Sequence, residues 1–240
     1  MPTLHLLCAG AAQGLVKALQ ARFLADTGAG ISARFGAVGA MKEALLAGEP
    51  CDLMIVTEAM IDGLCDEGRL RADTRAALGR VKTGVAVPAG TPHPDVSTPE
   101  ALKAALLASS AIYFPDAVRA TAGIHFAKVM AELGIRDTLE PRFRTFPAGA
   151  IAMRELAAAT GPGLIGCTQV TEILYTPGVE LVGLLPTQFE LATPYTAATS
   201  TQAAEPALAA AFTRLLAGAE TQALRAAGGF ELQHQETAPS

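Results

Sequence analysis

The sequence predicts a layered α/β fold built as two lobes, with a hinge and a cleft between them. Three observations predict it. Short apolar runs alternate with helix-period segments almost throughout, the pattern of strands covered by helices. Strand-like runs open into helices through turns of small residues, at Gly10-Ala11-Ala12, at Gly36-Ala37-Val38 and again at Gly166-Cys167-Thr168. The pattern also breaks twice, over residues 80–92 and near Pro194-Tyr195-Thr196-Ala197. A chain that leaves one lobe near residue 82 and returns near 195 crosses twice, and two crossings make a hinge. The division expected is 1–82 with 196–240 in lobe 1 and 83–195 in lobe 2.

The elements follow in order. A strand over residues 4–8 is an apolar run, and a helix over 13–27 repeats Leu15, Leu19 and Phe23 at spacing four. A strand at 31–35 precedes a helix at 39–47. The run at 53–56 is a buried strand, with Thr57 as N-cap of a helix at 58–67 whose first residue, Glu58, suits the positive end of the helix dipole. Further strands are expected at 83–87, 111–114, 142–145, 164–167, 179–185 and 189–193. Helices fall at 99–108, with Thr98 and Pro99 as a start signal, and at 122–133, stopped by Gly134. Others fall at 148–158, 168–174, 205–217 and 221–227, and the polar segment 233–240 reads as a frayed end.

Composition limits what such a fold can do. Half of the 240 residues are apolar, and 18 Lys and Arg stand against 23 Asp and Glu, a formal charge of −5. That supplies two cores and argues against nucleic acid and anionic lipid surfaces as partners. No charge-free apolar run reaches the roughly 18 residues of a membrane span, so no membrane insertion is expected. Attraction for an anion must come from local backbone donors and a few Arg side chains. The cysteines, Cys8, Cys51, Cys65 and Cys167, match no zinc spacing and form no C-x-x-C pair, and no metal or cofactor is expected. The four cysteines are compatible with a cytoplasmic protein if Met1 is native and with a periplasmic one if a leader was removed, and reduced thiols in the cytoplasm are the simpler reading.

A strand that feeds a helix through Gly and Ala leaves the first N–H groups of the helix uncovered, where an anion can sit. The candidate ligand shell is therefore Gly10, Ala11 and Ala12, then Val38 and Gly39, then the helix opening Thr121, Ala122 and Gly123. Thr57 and the turn residues Thr168 and Gln169 add hydrogen-bond donors, and Arg119 can pair with a carboxylate through two bonds. Four groups are placed to move a proton. Cys167 at a helix start would favour its thiolate, and Glu58, His125 and Glu172 are the other acid–base candidates. Three of them have a plain structural alternative: cap-related charge for Glu58, a satisfied histidine for His125, a buried thiol for Cys167. Arg142, Arg144 and Arg154 read as solvated charges or ligand contacts.

The order of strand, Gly/Ala turn and helix, followed by Phe35-Gly36-Ala37-Val38-Gly39-Ala40-Met41 and Gly48-Glu49-Pro50-Cys51-Asp52-Leu53-Met54-Ile55-Val56-Thr57, resembles the molybdate-binding proteins of ABC importers. Val87-Pro88-Ala89-Gly90 and the helix opening at Thr121 extend the resemblance over most of residues 3–200. It implies a type II periplasmic-binding-protein fold that closes on a small anion and delivers it to an ABC importer. Molybdate binders of this family usually carry Ser where this chain has Ala11 and Val38. Two missing hydroxyls, at about 1.5–3 kcal/mol for each bond to a charged ligand, weaken tetrahedral oxyanion binding and favour an organic carboxylate with Val38 in apolar contact. The family also has aconitate-isomerase-like members. They imply the alternative of a cofactor-free isomerase in which one residue shuttles an allylic proton of an unsaturated di- or tricarboxylate.

Overall fold

A computed structural model describes residues 1–232; the polar segment 233–240 lies outside the described residues. In chain order the elements are β1 (Thr3–Ala9), α1 (Gln13–Thr27), β2 (Gly30–Gly36), α2 (Val38–Leu46), β3 (Leu53–Thr57), α3 (Glu58–Asp66), β4 (Ala76–Pro88), α4 (Pro99–Ala108), β5 (Ala111–Pro115) and α5 (Thr121–Glu132). They continue as α6 (Arg136–Leu139), β6 (Phe143–Phe146), α7 (Gly149–Ala158), β7 (Leu164–Gln169), α8 (Val170–Tyr175), β8 (Val179–Leu184), β9 (Ala192–Thr199), α9 (Pro206–Ala217), α10 (Gln222–Ala227) and β10 (Phe230–Glu231). A 3₁₀ turn over Gly10–Ala12 joins β1 to α1.

Two sheets share one strand. The first runs β2-β1-β3-β9-β4, with β10 also on β4; β2, β1 and β3 are parallel, and β9 is antiparallel to both its neighbours. The 13-residue β4 pairs with β9 over Ala76–Lys82, then with β7 and β8 from Thr83 to Pro88. The second sheet continues from β7 to β5 and β6, all parallel. The cores divide the same way. One draws on residues from Leu4 to Val81 and from Tyr195 to Phe230, and the others on residues between Val85 and Phe189. In the first, Leu15, Leu19 and Phe23 form the buried stripe of α1, and the Phe23 ring meets Phe212 of α9 edge-on at 4.9 Å.

Three stretches differ from the sequence reading. The strand expected at 189–193 is β9, which begins at Ala192 and runs on through Pro194 to Thr199; Phe189 ends a 3₁₀ turn instead. Pro194 stands opposite Arg80 just before β3 takes up pairing at Tyr195, so it has one strand neighbour, where a missing N–H is tolerated. β4 starts seven residues earlier than the apolar run suggests (Ala76 rather than Thr83), because a register shift between Ala77 and Gly79 interrupts its alternation. β7 continues two residues past Cys167 and α8 starts at Val170, so Cys167 is inside a strand rather than at a helix start. The start signals at Thr98, whose hydroxyl accepts from the N–H of Ala101 at 3.1 Å, and the stop at Gly134 are as read.

Asp52, buried just before β3, binds the first lobe's pieces together. Its carboxylate accepts the N–H of His5 on β1 at 2.8 Å and that of Glu205 ahead of α9 at 2.9 Å. Its own N–H and C=O bond His5 and Ser200. Replacing it by Ala strands two backbone donors. Asp52→Ala is expected to lower the unfolding free energy by about 1–3 kcal/mol, as a shift of the urea midpoint at unchanged m-value.

Candidate functional site

The first N–H groups of a helix have no acceptor inside it. Four such starts surround one cavity between the two sheets. It is lined by Ala9, Gly10 and Ala11 at the end of β1, by Gly36, Ala37 and Val38 ahead of α2, and by Pro115, Ala120, Thr121 and Ala122 at α5. Ala148 and Gly149 at the start of α7, Gln169, Glu172 and Tyr195 complete it. Its free volume is about 20 Å³, room for roughly one or two waters or for one end of a longer ligand.

The lobes meet around it. The N–H of Gly39 donates to the Arg119 carbonyl at 3.3 Å, which ties the start of α2 to the loop before α5. Gly10 lies against the Glu172 carboxyl so closely that a Cβ there would overlap Oε1. Outside the cavity, Gly14 on α1 faces Tyr175 at the end of α8; a Cβ on Gly14 would sit 2.7 Å from the ring.

Two buried polar side chains face this space. Gln169 is 3% exposed, and neither its amide oxygen nor its amide nitrogen has a partner. Glu172, 5% exposed, accepts the N–H of Ala150 at 3.1 Å and the Thr168 hydroxyl at 2.5 Å. Burial pushes its carboxyl above the usual carboxylate range, against the opposing pull of Thr168 and of the backbone at Ala150 and Gln169. Tyr195 is buried beside it; desolvation first, then the Glu172 charge, raises its phenol.

Of the residues singled out from the sequence, Gly10, Ala11, Val38, Thr121, Ala122, Gln169 and Glu172 line the cavity. The others do not. Ala12 is packed in the first core, and Gly39 spends its N–H on Arg119. Gly123 lets α5 pack onto the carbonyls of Pro115 and Asp116. Thr168 is buried beneath the cavity, where it holds Glu172. Thr57 occupies the N-cap position of α3, but its hydroxyl makes no capping bond, and Glu58 borders a separate surface hollow with Arg80 and Pro194.

Arg119 turns outward, 57% exposed with Nε 3.6 Å from Glu43. His125 bonds through Nε2 to the Phe189 carbonyl at 2.7 Å, the satisfied histidine of its structural alternative. Cys167 lies in the second core, and burial drives its thiol well above the ordinary range, which removes the reactive thiolate expected at a helix start. Arg142 bonds the carbonyls of Leu107 and Ser109, and Arg144 those of Pro141 and Phe143. Among the described residues, no Lys or Arg side chain lines the cavity.

Sequence reasoning missed Ala9, Gly36, Ala37, Pro115, Ala120, Ala148, Gly149 and Tyr195. The turn Phe146-Pro147-Ala148-Gly149 carries the same strand-to-helix signal as the other starts, whereas nothing local marks Tyr195. Among the described residues no group of three or more His, Cys, Asp or Glu is gathered as a metal would require, and no helix is long and apolar enough to cross a membrane.

Residues 4–231 match the family described as bacterial extracellular solute-binding protein. Aconitate isomerase of Pseudomonas sp is 25% identical over 221 residues, 90% of this chain and 82% of that protein. The periplasmic molybdate-binding protein of Azotobacter vinelandii superposes with a TM-score of 0.79 at 20% identity, covering 96% of this chain and 100% of that one. The sulfate-binding protein SubI of Mycobacterium tuberculosis H37Rv superposes at 0.76 with 16% identity, over 98% and 88%. The architecture is that of the two-lobed type II periplasmic binding proteins.

Glu172 holds its proton more tightly in the folded protein than in the unfolded chain, where its pKa is about 4.3. Stability from this group is full below that value and is lost as pH rises through the folded one. The wild type's stability margin over Glu172→Gln should therefore shrink as pH rises from about 4 to about 8. Urea unfolding of both proteins across that range checks it; parallel pH curves would refute it.

Proposed function

The chain belongs to the bacterial extracellular solute-binding protein family, and from that premise we propose that it captures a small anion, an organic carboxylate, in the cleft between its lobes. The observation that carries this reading is Gln169. Burying a primary amide with neither atom bonded is unfavourable by about 1–3 kcal/mol in each such group, so a partner from outside the protein is called for. Four helix starts supply the positive ends that a carboxylate needs, without a cationic side chain. Ala11 and Val38 offer methyl groups where a hydroxyl would favour a tetrahedral oxyanion.

In this reading residues 1–82 and 196–240 form one moving body and 83–195 the other. Residues 192–195 of β9 are an exception, since they pair with the first sheet. The hinge lies where β4 changes partners after Lys82 and where β9 begins. As a receptor the protein delivers its ligand to an ABC importer from the periplasmic side.

A second reading is supported by the aconitate isomerase relative and by Glu172, the one carboxyl among the described residues that lines the cleft. An isomerase of an unsaturated tricarboxylate needs a group that takes a proton from one carbon and returns it to another. Glu172 is suited to that role and Cys167, in the core, is not. This reading is compatible with a cytoplasmic location.

Gln169→Leu separates a ligand contact from a structural residue. It removes the unpaired amide, so the ligand-free protein should be as stable as wild type or more so. Affinity for trans-aconitate or another di- or tricarboxylate should fall at least about tenfold. Calorimetric titration with thermal melts checks both. Molybdate and sulfate should bind more weakly than the best carboxylate; the reverse order would count against a carboxylate ligand.

For the isomerase, incubation with cis- or trans-aconitate in heavy water should yield the other isomer carrying deuterium, seen by proton NMR, and Glu172→Gln should abolish it. Saturable binding without conversion leaves the receptor alone.

A further inference from the structure

We propose that ligand capture is proton-linked through Glu172: the anion is held with one proton shared between its oxygen and the Glu172 carboxyl. The ligand class is thus an oxyanion bound together with a proton. This rests on the anion-binding reading above and goes beyond it, because it fixes the protonation state of the complex.

The argument begins with what surrounds the carboxyl. Glu172 lines the same small cavity as the four helix starts, so an anion seated there is its immediate neighbour. Two negative charges within one hydrogen bond of each other in a buried site do not both persist; one of them holds a proton. Among the described residues, no Lys or Arg lines the cavity to offset them. Facing Glu172 from β9 is Tyr195, a neutral phenol, with the buried Cys8 of β1 near it. From α1, Lys17 lies outside the cavity over the rings of Phe35 and Tyr175, at 5.9 and 5.6 Å. Arg154 and Glu155 of α7 are exposed, Glu180 of β8 pairs with His93, and Lys82 of β4 pairs with Glu190 and Glu231. Each of these charges is engaged elsewhere or in solvent.

Lobe closure makes the effect conditional on binding. Glu172 belongs to the second-sheet half of the molecule, and Gly10, which abuts its carboxyl, belongs to the first. Opening the cleft returns water to Glu172 and favours its ionised form; closing over an anion expels that water and favours the acid. The Ala150 N–H and the Thr168 hydroxyl keep the carboxyl aimed while the proton comes and goes. Gln169 beside it offers an N–H to the anion and a carbonyl to any O–H the ligand carries.

The proton has two sources that share this chemistry. Glu172 can bring it and donate to a fully ionised anion, or the ligand can bring its own acidic O–H and donate to the carboxylate. Calorimetric titration of the wild type with trans-aconitate, sulfate, molybdate and inorganic phosphate, from about pH 5 to about pH 9, tells them apart. If Glu172 supplies the proton, affinity for trans-aconitate, sulfate or molybdate falls toward about tenfold per pH unit at the alkaline end. Heats measured there in two buffers of different ionisation enthalpy then report uptake of up to one proton. If the ligand supplies it, phosphate, which carries a proton near neutrality, binds more tightly than sulfate, and Glu172→Gln erases that preference.

In Glu172→Gln the amide donates where the acid did, so the pH dependence flattens. Should that variant fail to fold, the wild-type pH series and buffer comparison decide alone. A probe that binds with pH-independent affinity, no proton uptake and no preference for phosphate over sulfate overturns the inference and leaves anion binding standing. Failure of all four probes at every pH overturns the anion-binding reading, and the inference with it.

Discussion

One strand belongs to two sheets, and the rest of the molecule is arranged around that fact. β4 gives its first half to β9 and its second to β7 and β8. A backbone continuous through both sheets limits how far apart they can sit. The cavity is where the helix starts of the two sheets face one another across that joint. Shortening β4, or pairing it on one side only, would leave the same helices with nothing in common to point at.

In the proposed reading, selectivity would come from backbone and from two side chains, not from salt bridges. Helix N–H groups point in fixed directions and carry partial charge, so they accept an anion without the side-chain ordering that an Arg requires. They also hold it less tightly than a guanidinium fork would. Loose holding would suit the proposed receptor, which must release its ligand. The net negative charge of the chain works in the same direction by providing no general pull on anions.

Local pattern revealed most of the scaffold. The spacing of Leu15, Leu19 and Phe23, the cap at Thr98 and the stop at Gly134 are statements about neighbours in the chain, and they held. β9 was harder because Pro194 breaks a pattern only when a strand has partners on both sides at that residue, which depends on where β3 ends. The site shows the same limit. Three of its helix starts could be seen as small-residue turns, and Gln169 lines the cavity as read, but the two-residue continuation of β7 leaves Cys167 inside the strand and in the core. Arg119 carried the right charge and faces the other way, toward Glu43, a choice made by tertiary contacts that no spacing encodes.

Gly14 and Tyr175 touch on the outside of the seam, away from the cavity. With no Cβ on Gly14, α1 and α8 can lie this close together. A side chain at position 14 would be a shim: its thickness would hold the jaws apart by a corresponding amount while every group that meets the ligand stayed unaltered. Grip could then be graded in steps of one methyl group from outside the binding chemistry. Relatives of this fold could come to differ in how long they retain the same ligand through this outer seam alone.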